Sequence, residues 1–119
     1  MAIANSMSGL SPKLVKEDSD RMRLHLGAVM TQNFGNLLWR LTEEVLAKAD
    51  NETDYSVLLP LAQNHLNKLV NHSPAKLQTG PASRGDEKTI NSHLALLNEH
   101  PEAQEIYSLL SELIIKKEV

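Results

Sequence analysis

The feature that most constrains this chain is a row of apolar residues, Leu26, Met30, Phe34, Leu37, Leu41 and Val45, spaced by fours and threes. That spacing collects side chains on one face of an α-helix and does not fit the two-residue period of a strand. Asp18, Ser19 and Asp20 stand before the row. They supply capping acceptors and negative charge where the helix dipole is positive. The helix is expected to last until Lys48, with Asn51 near its C-cap. At 1.5 Å per residue it would reach roughly 40 Å. So long a helix in a small domain packs against several others or against a second chain.

The remaining chain reads as three more helices. Asp54 caps one that carries Leu58, Leu59, Ala62, Leu66, Leu69 and Val70. Pro60 lies inside this pattern, so the helix either starts just before it or kinks there. His72, Ser73 and Pro74 end it, and Lys76 to Gly85 reads as a loop. Asp86 caps a helix with Ile90, Leu94 and Leu97, ending near Asn98. Pro101 suits a first helical position. It opens a helix with Ala103, Ile106, Tyr107, Leu110, Leu113 and Ile114 that closes on Lys116 and Lys117. Residues 1–13 read as a tail or interdomain edge, with a short extended stretch at Leu14 and Val15. Residues 14–119 read as one all-α domain, a bundle of about four to five helices around one long central helix.

Composition narrows the function classes. Apolar residues make up 41% of the chain and aromatic ones 3%, which predicts one aliphatic core. The net charge of −3 argues against a nucleic-acid surface, which needs clustered cations. There is no cysteine, which excludes disulfides and thiolate metal sites and fits a reducing, cytoplasmic location. No apolar run approaches the roughly 20 residues of a membrane span. The five histidines are scattered and show no zinc-ligand spacing, so no metal site is expected. No nucleophile elbow and no Gly-x-Gly-x-x-Gly after a strand are present.

Three groups of residues invite a functional reading. Gly27 and Gly35 sit inside the long helix, with Thr31 between them. Glycine there costs about 1 kcal/mol relative to alanine. The pair therefore implies a tight helix crossing or, alternatively, a ligand lying against the backbone. On the same helix Asn33 and Asn36, with His25 and Gln32, are either a watered face or hydrogen-bonding groups turned towards a partner domain or ligand. The third group is Gln78-Thr79-Gly80-Pro81-Ala82-Ser83-Arg84-Gly85-Asp86. Its backbone N–H groups, Thr79, Ser83 and Arg84 could hold an anion before a helix N-terminus. On the plainer reading Asp86 caps the helix, competes for those donors and pairs with Arg84.

Specific words extend this reading. Asn33-Phe34-Gly35-Asn36-Leu37-Leu38, Leu41 to Leu46, Leu58-Leu59-Pro60-Leu61, the Gln78–Asp86 stretch with Thr89-Ile90 and His93-Leu94, and Ile106 to Ser111 occur in order. Together they resemble the bacterial domain of unknown function that follows a Rossmann-like NADP-binding domain. Proteins of that kind are labelled NADP oxidoreductases, related to those that depend on coenzyme F420. Their helical part is similar to the C-terminal domain of 6-phosphogluconate dehydrogenase. The resemblance covers roughly residues 14–112. It implies a helical domain that dimerises through its long helix and closes a substrate site over the nicotinamide. Asn33, Asn36, Thr79, Arg84 and Asp86 are then the positions expected at the interdomain cleft, and Gly27 and Gly35 the close-packing ones. It also implies that the Rossmann half is missing from this chain. The chain alone should then bind no cofactor and show no turnover, with NADP bound only alongside that partner domain. The alternative is a stand-alone helical homodimer without catalysis. A regulatory anion site on the Arg84 loop is a third reading.

Overall fold

The computed structural model describes residues 18–47 and 54–118 of the chain. The tail, the Leu14-Val15 stretch, Lys48 and the Asn51 cap lie outside the described residues. Among the described residues every regular element is helical. The chain divides into two units, Met1–Glu44 and Val45–Val119.

The long helix begins at Asp18 and continues to Leu46 in three parts: α1 (Asp18–Ala28), a π-helical turn (Val29–Asn33) and α2 (Phe34–Leu46). Within the turn the ladder shifts by one residue, and the Phe34 N–H reaches back to the Val29 carbonyl. The sequence supplies the reason. Gly27 and Gly35 flank the turn, and the weak helix former Asn33 ends it. The Thr31 hydroxyl donates to the Gly27 carbonyl at 2.8 Å, another local alternative to the regular ladder. The wider turn also serves the apolar row. Steps of four drift around a 3.6-residue helix, and a π turn offsets the drift between Leu26, Met30 and Phe34.

In the second unit Asp54 accepts from the N–H of Ser56 at 2.8 Å and from its hydroxyl, and so starts a 3₁₀ turn, Tyr55–Leu58. That turn leads into α3 (Leu59–Leu69). Pro60 falls in the first turn of α3, where its missing N–H has no partner to lose. The helix thus starts just before the proline rather than kinking at it. The loop expected over Lys76–Gly85 is corrected: it contains the second half of α4 (Pro74–Leu77) and all of α5 (Pro81–Arg84). Each has a proline in its first turn, which fixes φ for a helical start. Then follow α6 (Glu87–Leu96), a 3₁₀ turn (Leu97–Glu99) and α7 (Pro101–Glu118).

Helices α5, α6 and α7 pack on one another. Ala82 on α5 and Leu97 after α6 are buried here. Gln104 of α7 fastens the end of α6. Its amide donates to the Leu94 carbonyl at 2.9 Å and to the Asn98 side chain at 3.1 Å. The Leu94 carbonyl, near the end of the helix, thus accepts from the Gln104 side chain as well as from the Leu97 N–H.

One expectation from composition fails. A full aliphatic core is absent among the described residues, where only Leu41, Ala82 and Leu97 are buried apolar residues. The apolar rows exist but remain uncovered: Met22, Leu26, Met30, Phe34 and Leu37 on the long helix, and Leu61, Leu66 and Val70 along and just after α3, are all exposed. Periodicity reports which face is apolar; it does not report whether the same chain covers it.

Candidate functional site

The turn between α5 and α6 is built by two caps placed back to back. The Gly85 N–H donates to the Ala82 carbonyl at 3.3 Å and the Asp86 N–H to the Pro81 carbonyl at 2.9 Å. These two bonds close α5 as a Schellman motif, which needs a left-handed residue after the helix. Gly85 takes that conformation with φ 68°. Gly80 opens the same helix with φ 106°, again a conformation that L side chains rarely adopt.

Asp86 ends one helix with its backbone and starts the next with its side chain. Its carboxylate accepts from the Thr89 N–H at 3.1 Å and from the Thr89 hydroxyl at 2.7 Å. These two hydrogen bonds, the hydroxyl's first, hold the Asp86 carboxyl below its usual range. Arg84 adds a smaller electrostatic pull. Its guanidinium stands 3.7 Å from Asp86, an ion pair but too long for a hydrogen bond. Arg84 is mostly exposed. Asp86 therefore does cap the helix, and Arg84 does pair with it locally. Thr79 precedes the turn, exposed, with its carbonyl accepting from the Gln78 amide at 3.2 Å.

The face of α6 that begins at Asp86 continues through Thr89 to His93, in steps of three and four. There it meets α7. The Nδ1 atom of His93 lies 2.8 Å from the Tyr107 hydroxyl. The two rings stand edge to face, with centroids 5.6 Å apart and planes at 88°. Burial, and after it the negative charge of Asp86, push the Tyr107 phenol above its ordinary value. The phenol thus stays protonated through neutral pH and within the field of Asp86. Arg84, Asp86 and Thr89 form one linked group at the α5–α6 turn, and His93 and Tyr107 form a second pair where α6 meets α7.

His93 and Tyr107 are the residues sequence reasoning missed. Tyr107 sits within an apolar period and His93 is one scattered histidine among five. The signal was the spacing of Asp86, Thr89 and His93, together with the membership of His93 and Tyr107 in the words that carry the resemblance.

The other candidates fall in the first unit. Asn33 ends the π turn, Asn36 lies in α2, and both are exposed. A Cβ atom built on Gly27 or Gly35 would meet nothing within 4 Å. The close approach expected at these glycines is therefore not made by the described residues of this chain. Among the described residues no group of three or more histidines and carboxylates is placed to hold a metal ion. No helix among them is long and apolar enough to cross a membrane.

Residues 1–114 match the family described as a domain of unknown function, DUF2520. The chain also resembles the crystal structure of a Bacteroides fragilis protein provisionally named an NADP oxidoreductase, with a TM-score of 0.78 and 39% sequence identity. The match covers 85% of this chain and 38% of that one, so the chain spans well under half of that protein's length. No curated protein matches the chain.

Proposed function

We propose, for a chain that belongs to the DUF2520 family, that it is the helical substrate-side and dimerisation domain of an NADP-dependent oxidoreductase. The observation that carries this reading is the likeness to the B. fragilis protein, in which most of the chain lies outside the matched part. The larger remainder is where a Rossmann-like domain would supply nicotinamide binding, because the cofactor itself performs hydride chemistry. In this reading Thr79, Arg84 and Asp86 of the α5–α6 turn are candidates for facing the partner domain, and so, taken by themselves, are Asn33 and Asn36 of the long helix. The cysteine-free sequence supports a cytoplasmic location.

The long helix supports the dimer. From Leu24 to Trp39 it carries no Asp, Glu, Lys or Arg, and its charges gather at the two ends. Met30 and Phe34 are each 57% exposed in the middle of that stretch. A contiguous apolar face of this kind marks an interaction surface. A second copy fits it best. The open backbone at Gly27 and Gly35 lets two helices approach closely, and the uncharged middle leaves no unpaired charge to bury.

Calorimetric titration with NADPH tests the division of labour. This chain alone is expected to give no saturable heat, and the full-length family protein to bind. Tight NADPH binding by the isolated helical chain contradicts the reading. The stand-alone dimer would be favoured instead if a full-length relative also failed to bind.

A further inference from the structure

Among the described residues α3 packs chiefly on its own flanks, the 3₁₀ turn that leads into it and α4 just after it. Leu59, Leu66 and Val70 recur at steps of seven and four, and Val70 keeps helical backbone angles as the C-cap. The three therefore share one face. All are exposed, Val70 to 80%. From Tyr55 to Asn67 the chain carries no Asp, Glu, Lys or Arg. Lys68, the one such residue in α3, falls on the side opposite the row by helical spacing.

The long helix has the same character, being free of those four residue types from Leu24 to Trp39. The two stretches also match in length. The 3₁₀ turn with α3 runs for about 20 Å and the middle of the long helix for about 24 Å. Helix α7 differs. Its Leu109, Leu110, Leu113 and Ile115 are exposed as well, but Glu112 and Lys116 stand among them. The core of an interface is depleted of charge, and a charge buried without a partner is costly. Of the exposed apolar rows, that of α3 is therefore the one that suits the long helix.

We propose that in the dimer the row of the long helix centred on Met30 and Phe34 lies on the Leu59–Leu66–Val70 face of α3 in the second copy, and that the second copy does the same in return. The inference rests on the reading of this chain as a dimerisation domain and names the surface that receives the long helix. Two long helices packed only on each other would leave α3 open in both copies. A reciprocal exchange covers both rows with one symmetry operation. Reciprocity also closes the assembly, because unlike surfaces that meet without it build rings or open filaments. Two rows from each copy go further than one towards the roughly 800 Å² per partner of a specific interface.

Cross-linking tests the exchange in the 119-residue chain, whose lack of cysteine lets one introduced thiol report one position. A Met30→Cys chain carrying an affinity tag is mixed with an untagged Leu66→Cys chain, and a short bismaleimide is added. The product joining the two variants should outnumber those joining two copies of one variant by roughly tenfold, since reciprocal contact brings only unlike positions together. A predominance of joined Met30→Cys copies means long helix on long helix; it overturns this inference and keeps the dimer. A chain with both substitutions that links within itself means α3 is covered by its own chain, and a dimer that yields no product through Leu66→Cys leaves α3 to another partner. Either result overturns the exchange. A chain that is monomeric at every concentration refutes the dimer reading as well. Leu66→Asp should raise the dimer dissociation constant at least about tenfold with helicity unchanged by circular dichroism, whereas Leu109→Asp on α7 should leave it as it is. A dimer indifferent to Leu66→Asp also overturns the proposal.

Discussion

Replacing Gly27 and Gly35 together by alanine separates what the helix needs from what its partner needs. Both positions are helical, and a Cβ at either meets nothing within 4 Å. Among the described residues no steric penalty opposes the change. Each substitution should then gain about 0.5–1 kcal/mol through the lower conformational entropy of the unfolded state and better helix propensity. Eight residues apart, the two gains should be close to additive, about 1–2 kcal/mol in all. For a domain of this size each kcal/mol raises the melting temperature by roughly 4–8 °C. The assay is thermal unfolding by circular dichroism at a dilution where the chain is monomeric, paired with sedimentation equilibrium at higher concentration. The double variant should melt higher as a monomer and associate more weakly, because two methyl groups now keep the partner backbone away. A variant that melts lower when dilute refutes the reasoning, since it means something in this chain does pack on those glycines. A tighter or unchanged dimer removes the glycines from the interface.

Gly85→Ala should act in the opposite direction. The left-handed φ of 68° costs a non-glycine residue about 1–2 kcal/mol, read as a lower melting temperature with no change in association. Truncating Leu97, which is 8% exposed, to alanine should lose about 2–5 kcal/mol in chemical denaturation. A loss under 1 kcal/mol would mean that the α5–α7 packing is not the core of its unit. Acid should weaken the same region. The hydrogen bonds that depress the Asp86 carboxyl favour its charged form. Its stabilising contribution is therefore complete above the ordinary carboxylate value near 3.9 and is lost as pH falls through the lower folded value. Asp86→Asn should flatten the pH dependence of stability in that acid window, and an unchanged acid profile would contradict the cap.

Much of the fold was legible because it depends on local rules. The Leu26–Val45 period announced the long helix, Pro60 and Pro101 marked first turns, and Asp54 and Asp86 announced caps through their side chains. The π turn was not legible in position, although Gly27, Asn33 and Gly35 supplied its cause. The short helices α4 and α5 were read as loop because each is a single turn started by a proline, too short to show a period. The site was half legible. The conformational demands of Gly80 and Gly85 and the local pairing of Arg84 with Asp86 could be read from neighbours in sequence. The pairing of His93 with Tyr107 spans fourteen positions and depends on how α6 and α7 cross, which no local pattern encodes. Burial was the least legible. Forty-one per cent apolar residues suggested one core, but the faces that carry Met30, Phe34 and Leu61 stay open to solvent.

That open surface makes the claim of a completing partner directly measurable. Sedimentation velocity of the chain over a wide dilution series is the test. A species of twice the chain mass of 13.2 kDa, dissociating on dilution and shifted towards monomer by Phe34→Ser, is the predicted result. A monomer at every concentration, with Phe34→Ser indistinguishable from the parent chain, would contradict it.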